Sequence, residues 1–191
     1  MAIIIEEFDA TKITNASIQF IKDGVQEVGT KFGCMGSLEG ETELKELMKL
    51  CEGVEVKRRT KPTRMTFTVE AHIPVAVIRD VFGLTNKNLK PGVYSYGTDS
   101  VSTPFVFTAD IVDEFEDVTK LIAFPNRTSN TGFQFTIENG EDEVAQMEVE
   151  IVALPDDNNQ IYYEALVEEL EDPTVAETWH RAFTPELVEA A

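Results

Sequence analysis

Residues 64 to 73 read Arg-Met-Thr-Phe-Thr-Val-Glu-Ala-His-Ile, apolar at every odd position and polar at every even one. Side chains alternate across a strand, so a run of this kind makes a strand with one buried and one wet face. Pro74 ends the run and opens a helix, because its missing N–H is not needed in the first turn. Val75, Ile78, Val81 and Phe82 then recur at helical spacing until Gly83. A strand followed by a short amphipathic helix laid on a sheet is the unit that the rest of the chain must extend.

Further alternation supplies the sheet. Ser17 to Ile21 forms a strand closed by a turn at Lys22-Asp23-Gly24, and Phe105, Phe107, Ala109 and Ile111 mark another. Lys120 to Phe124 is a short apolar strand stopped by Pro125. Phe133, Phe135 and Ile137 face Gln134, Thr136 and Glu138, and Asn139-Gly140 turns the chain back through Ala145, Met147, Val149, Ile151 and Ala153 as a long hairpin. Gly33, Gly36 and Gly40 punctuate a loop. Leu44, Leu47, Met48 and Cys51 predict a second helix over 41–51, and Tyr162, Ala165, Leu166, Glu169 and Leu170 a third before Asp172-Pro173. Thr184-Pro185-Glu186 is a turn or a fresh helical start. The expected fold is mainly β (α+β): an antiparallel β-sandwich or open barrel, one domain over 1–191, with two or three short flanking helices. Segments 1–16 and 52–63 are expected as loops or arms used in subunit contacts.

Charge excludes several function classes. The 191 residues carry 16 Lys and Arg against 35 Asp and Glu, a net charge of −19. Holding nucleic acid by phosphate neutralisation needs many cations, and an anionic membrane surface would repel this chain. No apolar run reaches a membrane span, and Met1-Ala2-Ile3-Ile4-Ile5-Glu6-Glu7 lacks the basic start of a secretory leader. The imbalance is uneven: residues 1–56 sum to −6, residues 57–90 to +6 and residues 91–191 to −19. The basic island centres on Lys57-Arg58-Arg59-Thr60-Lys61, a solvated loop or a contact loop for the acidic surface of another subunit.

Catalytic and metal motifs are sparse. There is no phosphate loop, dinucleotide fingerprint, nucleophile elbow or HExxH. His72 and His180 have no metal-type neighbours at short spacing, and Cys34 and Cys51 are expected to pack as small apolar groups. Asp110, Asp113, Glu114, Glu116 and Asp117 form an acidic cluster whose spacing does not match a calcium loop, so it is expected as a solvated turn. Asp156-Asp157-Asn158-Asn159 is a turn by composition, and the glycosylation pattern Asn126-Arg127-Thr128 is a chance match. No cofactor and no metal site is expected.

The wet strand faces stand out instead. Thr66, Thr68 and Glu70, Gln134, Thr136 and Glu138, and Gln146, Glu148 and Glu150 would together make a broad neutral-to-acidic surface. The segments Gly36-Ser37-Leu38-Glu39-Gly40-Glu41-Thr42, Lys90-Pro91-Gly92-Val93-Tyr94-Ser95-Tyr96-Gly97, Lys120-Leu121-Ile122-Ala123-Phe124-Pro125-Asn126, Ile137-Glu138-Asn139-Gly140 and Trp179-His180-Arg181-Ala182-Phe183-Thr184-Pro185-Glu186-Leu187 resemble the major tail proteins of long-tailed bacteriophages of Gram-positive bacteria. The resemblance runs from about Cys34 to the C-terminus and rests on no single diagnostic motif.

That resemblance implies a structural virion protein, not an enzyme. Homohexameric rings would stack into a tail tube, assembled in the host cytoplasm, through which the genome passes. Its partners would be further copies of itself, the terminator and tip proteins at the tube ends and the tape-measure protein inside, with DNA only as non-specific cargo and no membrane. An acidic, hydroxyl-lined wall would keep a polyanion from sticking, which makes Thr66, Thr68, Glu70, Gln134, Thr136, Glu148 and Glu150 the expected lumen-facing residues. Lys57, Arg58, Arg59 and Lys61 are the expected subunit contacts. The residues leave three other readings open: the inner tube of a contractile tail-like particle, a monomeric acidic binding module, and an enzyme using carboxylates such as Asp110 and Glu138.

Overall fold

The computed structural model describes residues 5–115, 117–129, 131–135, 144 and 146–189. Among them run strands β1 (Ala10–Lys22), β2 (Val25–Gln26), β3 (Thr30–Lys31), β4 (Cys34–Cys51) and β5 (Val54–His72), then helix α1 (Val75–Phe82). Strands β6 (Phe105–Asp113), β7 (Thr119–Ser129), β8 (Met147–Ala153) and β9 (Tyr163–Leu166) and helix α2 (Pro173–Ala182) complete the order, with 3-10 turns at Val167–Glu169 and Pro185–Leu187. Every pairing is antiparallel, in the order β2-β1-β6-β7-β8-β5-β4, with β3 on β1 and β9 on β7. Because β3 bonds to β1 while β4, only Phe32-Gly33 further on, bonds to β5, the sheet curls back on itself. The mainly β fold expected from alternation is thus present as an open barrel with two short helices.

The barrel interior is aromatic. Phe67 stacks on Phe124 at 4.5 Å between ring centres, and Phe107 meets Phe32 edge-on at 5.2 Å. Val69, Ala71, Ile18, Ile122, Val149 and Ile151 fill the spaces between them, and α1 adds Val77, Val81 and Phe82. Gly83 ends α1 in the left-handed conformation, where an added Cβ would also strike the Val101 backbone. Arg127 lies inside, fully buried, its guanidinium 4.1 Å from the Phe124 ring and its Nε–H donating to the Phe124 carbonyl at 3.0 Å. Burial pushes its pKa well below the ordinary arginine value, and its two terminal nitrogens have no hydrogen-bond partner among the described residues.

The outer side of β6 and β7 is buried too. Val106, Leu121 and Ala123 pack under Trp179 and Phe183 of the α2 region. Asp172 caps α2 by accepting from the Thr174 N–H at 2.9 Å, with Pro173 in the first turn. The far end of α2 is tied down by β1: Gln19 donates to the Trp179 carbonyl at 3.2 Å and accepts from the Phe183 N–H at 2.8 Å, and Ser17 donates to the His180 carbonyl at 2.7 Å. The Gly29 N–H reaches the Arg181 carbonyl at 2.8 Å. These bonds satisfy carbonyls that a helix end leaves orphaned.

Several expectations are corrected. Residues 41–51 are strand, not helix, because their backbone groups pair with β5 along its whole length; Gly36 and Gly40 lie inside that strand rather than in a loop. Residues 162–170 form β9 and a 3-10 turn, held by pairing to β7. β7 runs through Pro125 to Ser129, with the missing N–H absorbed where the β6–β7 register shifts. Val75 is exposed and Val77 takes its place in the core, while Cys34 and Cys51 are both exposed. Residues 52–63 are the turn and outer half of β5, and 10–16 belong to β1. Of the long hairpin, β8 is present and residues 131–135 form no strand, while Thr136 to Asn139-Gly140 and Ala145 lie outside the described residues. α2 was not anticipated.

Replacing Phe107 by Ala removes the ring that touches Phe32, Phe67 and Phe124. Urea unfolding should show a loss of about 3–5 kcal/mol; a loss under about 1 kcal/mol would mean that the barrel interior is not the core.

Candidate functional site

The polar face of β4, β5 and β8 assembles in rungs. Ser37, Glu70 and Glu148 share one, Glu39, Thr68 and Glu150 the next, and Glu41, Thr66 and Val152 the third. Ser37 donates to Glu70 at 3.0 Å. Glu39, Glu41, Thr66, Thr68 and Glu150 line a shallow depression of about 320 Å³ on this face. Thr66, Thr68, Glu70, Glu148 and Glu150 are therefore brought together as their alternation implied. Ser37, Glu39 and Glu41 join them, hidden in the sequence by the expectation of a glycine loop. Gln134 is not part of the face: its segment is anchored through Phe133 to Phe82 and Tyr96, and it has no position in the ladder. Thr136 and Glu138 lie outside the described residues.

Beyond Thr42 and Met65 the β4–β5 ribbon leaves the barrel as an arm. About ten residue pairs at ~3.3 Å each give it a reach of roughly 30 Å. Among the described residues no core forms on its outer part: Leu44, Leu47, Met48, Leu50, Val54 and Val56 are each more than half exposed. A two-residue turn at its tip is made by Glu52 and Gly53, both at positive φ. Arg64, paired with Glu43, marks the boundary between barrel and arm.

The arm sorts its charges by face. Lys45 lies opposite Lys61, Leu47 opposite Arg59 and Lys49 opposite Lys57. No ion pair joins these five cations to any described residue, and two of the rungs set like charges directly across from each other, an arrangement that destabilises a ribbon. Arg58 is on the other face: it donates to Glu55 at 2.9 Å and pairs with Glu46 at 3.5 Å. The Glu55 bond holds its pKa above the ordinary value. The basic island thus splits, with Arg58 used inside the arm and Lys57, Arg59 and Lys61 joined by Lys45 and Lys49 from the facing strand. By strand parity this stripe continues the face that bears Glu39 and Glu41, so one ribbon face changes sign from barrel to arm.

The other acidic groups are structural in their contacts. Asp110 accepts from Asn15 at 3.1 Å and pairs with His180 at 2.7 Å, and the second ring nitrogen of His180 lies 2.9 Å from the Thr108 hydroxyl. Thr108 is sealed from solvent, so this chain of groups docks α2 on β6 and offers no hydroxyl to a substrate. Asp156 folds its own turn by accepting from the Asn158 and Gln160 N–H groups at 2.9 and 2.8 Å. It also accepts from Tyr163, whose phenol is pushed up to about 12 by burial and by that carboxylate. Asp113 accepts from the Asp9 N–H at 2.7 Å and from the Phe115 N–H at 3.3 Å, fixing the β6–β7 turn against the N-terminal strap. Among the described residues no three His, Cys, Asp or Glu side chains converge to hold a metal ion. Glu116 lies outside the described residues.

The sequence matches no protein-family model and no curated protein.

Lys49→Glu turns a like-charge rung into an opposite-charge one. Arm amides should exchange with solvent roughly two- to fivefold more slowly; faster exchange would contradict the register. The Asp9 N–H bond holds the Asp113 carboxyl below its ordinary range. A depressed folded value means that the strap is held above the ordinary carboxylate pKa of about 3.9 and released only as pH falls through the lower folded value. The Asp9 amide resonance followed by NMR should move below that pH, and Asp113→Ala should release it at neutrality; a midpoint above the ordinary value would refute the assignment.

Proposed function

We propose that this chain is a self-assembling structural subunit whose copies close into rings and stack into a tube for passage of a polyanion, as its resemblance to phage major tail proteins implies. One observation carries the reading: a sheet face bearing only carboxylates, hydroxyls and Val152 over three rungs, on a strand whose outer edge has no partner in the arm region among the described residues. A bare edge of this length invites another strand, and closure of sheets into a ring removes it. A wall without Lys or Arg gives a passing duplex nothing to grip, and repulsion screened over about 8 Å leaves a hydrated gap.

The arm supplies the joint. A two-stranded ribbon with both faces in water is marginal alone, and copies each carrying −19 repel unless opposite patches meet. Lys45, Lys49, Lys57, Arg59 and Lys61 are the cations offered to carboxylates of a neighbouring copy. Covered in that way, the stripe does not face the passing polymer. On this reading the protein belongs to a virion tail assembled in the host cytoplasm as hexameric rings, with terminator, tip and tape-measure proteins as its further contacts.

The test uses particles formed by concentrating the purified protein, mixed with duplex DNA at about 0.15 M salt. Wild-type particles should leave the DNA in solution, and Glu148→Lys/Glu150→Lys particles should sediment with it. Wild-type particles that hold DNA as firmly as the variant would overturn the reading, as would a protein that never assembles.

A further inference from the structure

Leu47 sits at the centre of the arm's cationic stripe. Lys45 and Lys49 flank it on β4, Arg59 lies opposite, and Lys57 and Lys61 are its diagonal neighbours on β5. Its rung is the fifth beyond Thr42 and Met65, roughly 17 Å out along the ribbon at ~3.3 Å per residue. A half-exposed leucine ringed by five cations, none of them in an ion pair with a described residue, fits an apolar recess rimmed by carboxylates.

Such a recess lies on the outer side of the barrel, beside the end of α2. Ile21, Val106 and Phe183 form the apolar wall of a cavity of about 500 Å³, and Asp156, Asp157 and Glu186 stand around it. Its own N–H and the Thr184 hydroxyl hold the Glu186 carboxyl below the ordinary range, while the nearby Asp156 pushes the other way. No described cation pairs with any of these three carboxylates. Residues 156–189 carry ten carboxylates against one Lys or Arg, Arg181, so the positive charge that this layer lacks must come from elsewhere. The carboxylate ladder of β4, β5 and β8 is a poorer match, because Glu39, Gly40, Glu41, Thr66, Thr68 and Glu150 give its depression no apolar floor for Leu47.

We infer that Leu47 of one copy enters the recess beside α2 on a second copy, with Lys45, Lys49 and Arg59 laying their stems on its wall and their charges on Asp156, Asp157 and Glu186. The inference rests on the self-assembly reading and names the surface that receives the arm. That surface is preorganised: Asp156 accepts from the Asn158 and Gln160 N–H groups, and Gln26 donates to the Phe183 carbonyl at 2.8 Å. Donor and acceptor surfaces differ, so each copy gives one arm and receives another. A heterologous contact of this kind repeats into closed rings or open-ended stacks.

Asp157→Lys/Glu186→Lys and Lys49→Glu/Arg59→Glu should each leave thermal unfolding close to wild type and raise the concentration at which particles form about tenfold. A chain carrying all four changes should assemble near the wild-type concentration, because donor and acceptor have exchanged signs. In a Cys34→Ser/Cys51→Ser background, Leu47→Cys with Asp157→Cys should give a ladder of chains linked by a short bismaleimide. Either reversal assembling at the wild-type concentration, no recovery in the fourfold variant, or a single unlinked band from cross-linked particles would overturn this contact and leave the tube reading standing. A wild-type protein that never forms particles would overturn both.

Discussion

The β4–β5 hairpin is one unbroken ribbon asked to live in two environments. Its inner half has Phe67, Val69 and Ala71 pressed into an aromatic barrel, and that burial fixes which face every other residue of the ribbon presents. Its outer half inherits the register with no core of its own. The acidic sheet face and the cationic stripe both follow from where the ribbon stops being covered. Shifting the pairing by one residue would exchange the faces, so the barrel core is what aims the charges.

This also explains which parts of the fold were legible in the sequence. Residues 64–73 alternate because one face is dry and the other wet, and the structure uses them so. Residues 41–51 carry no such contrast, since both faces of the arm are in water. Leu44 and Met48 lie on one face of that strand and Leu47 and Cys51 on the other, but written in a line they imitate one stripe of a helix. Good helix formers such as Glu, Leu and Lys strengthened the imitation, and long-range pairing with β5 overrides them. Tyr162 to Leu170 misled in the same way. The Asp172-Pro173-Thr174 cap, with Val175, Ala176, Trp179 and Phe183 spaced behind it, was a readable helix signal.

The candidate surface divides similarly. Thr66, Thr68, Glu70, Glu148 and Glu150 were readable because each sits between buried neighbours on its own strand. Ser37, Glu39 and Glu41 were not, because a strand punctuated by Gly36 and Gly40 looks like a loop; Gly36 sits where a side chain would strike Gln146. The basic island was visible as a count of charges. Its split, with Arg58 turned away to Glu55 and Lys45 and Lys49 recruited from the facing strand, depends on cross-strand register that no local pattern contains. Like-charge rungs of both signs, Glu70 opposite Glu148 and Lys49 opposite Lys57, are then two halves of one electrostatic problem that a lone subunit leaves unsolved.

Electron microscopy of the concentrated protein at low salt addresses the central claim, that this ribbon exists to join copies around a channel. The account predicts closed annuli and stacks of them, with a clear bore and with arms seated on neighbours. Isolated particles of 21.3 kDa at every concentration, or annuli whose inner wall is lined by the arm cations, would contradict it.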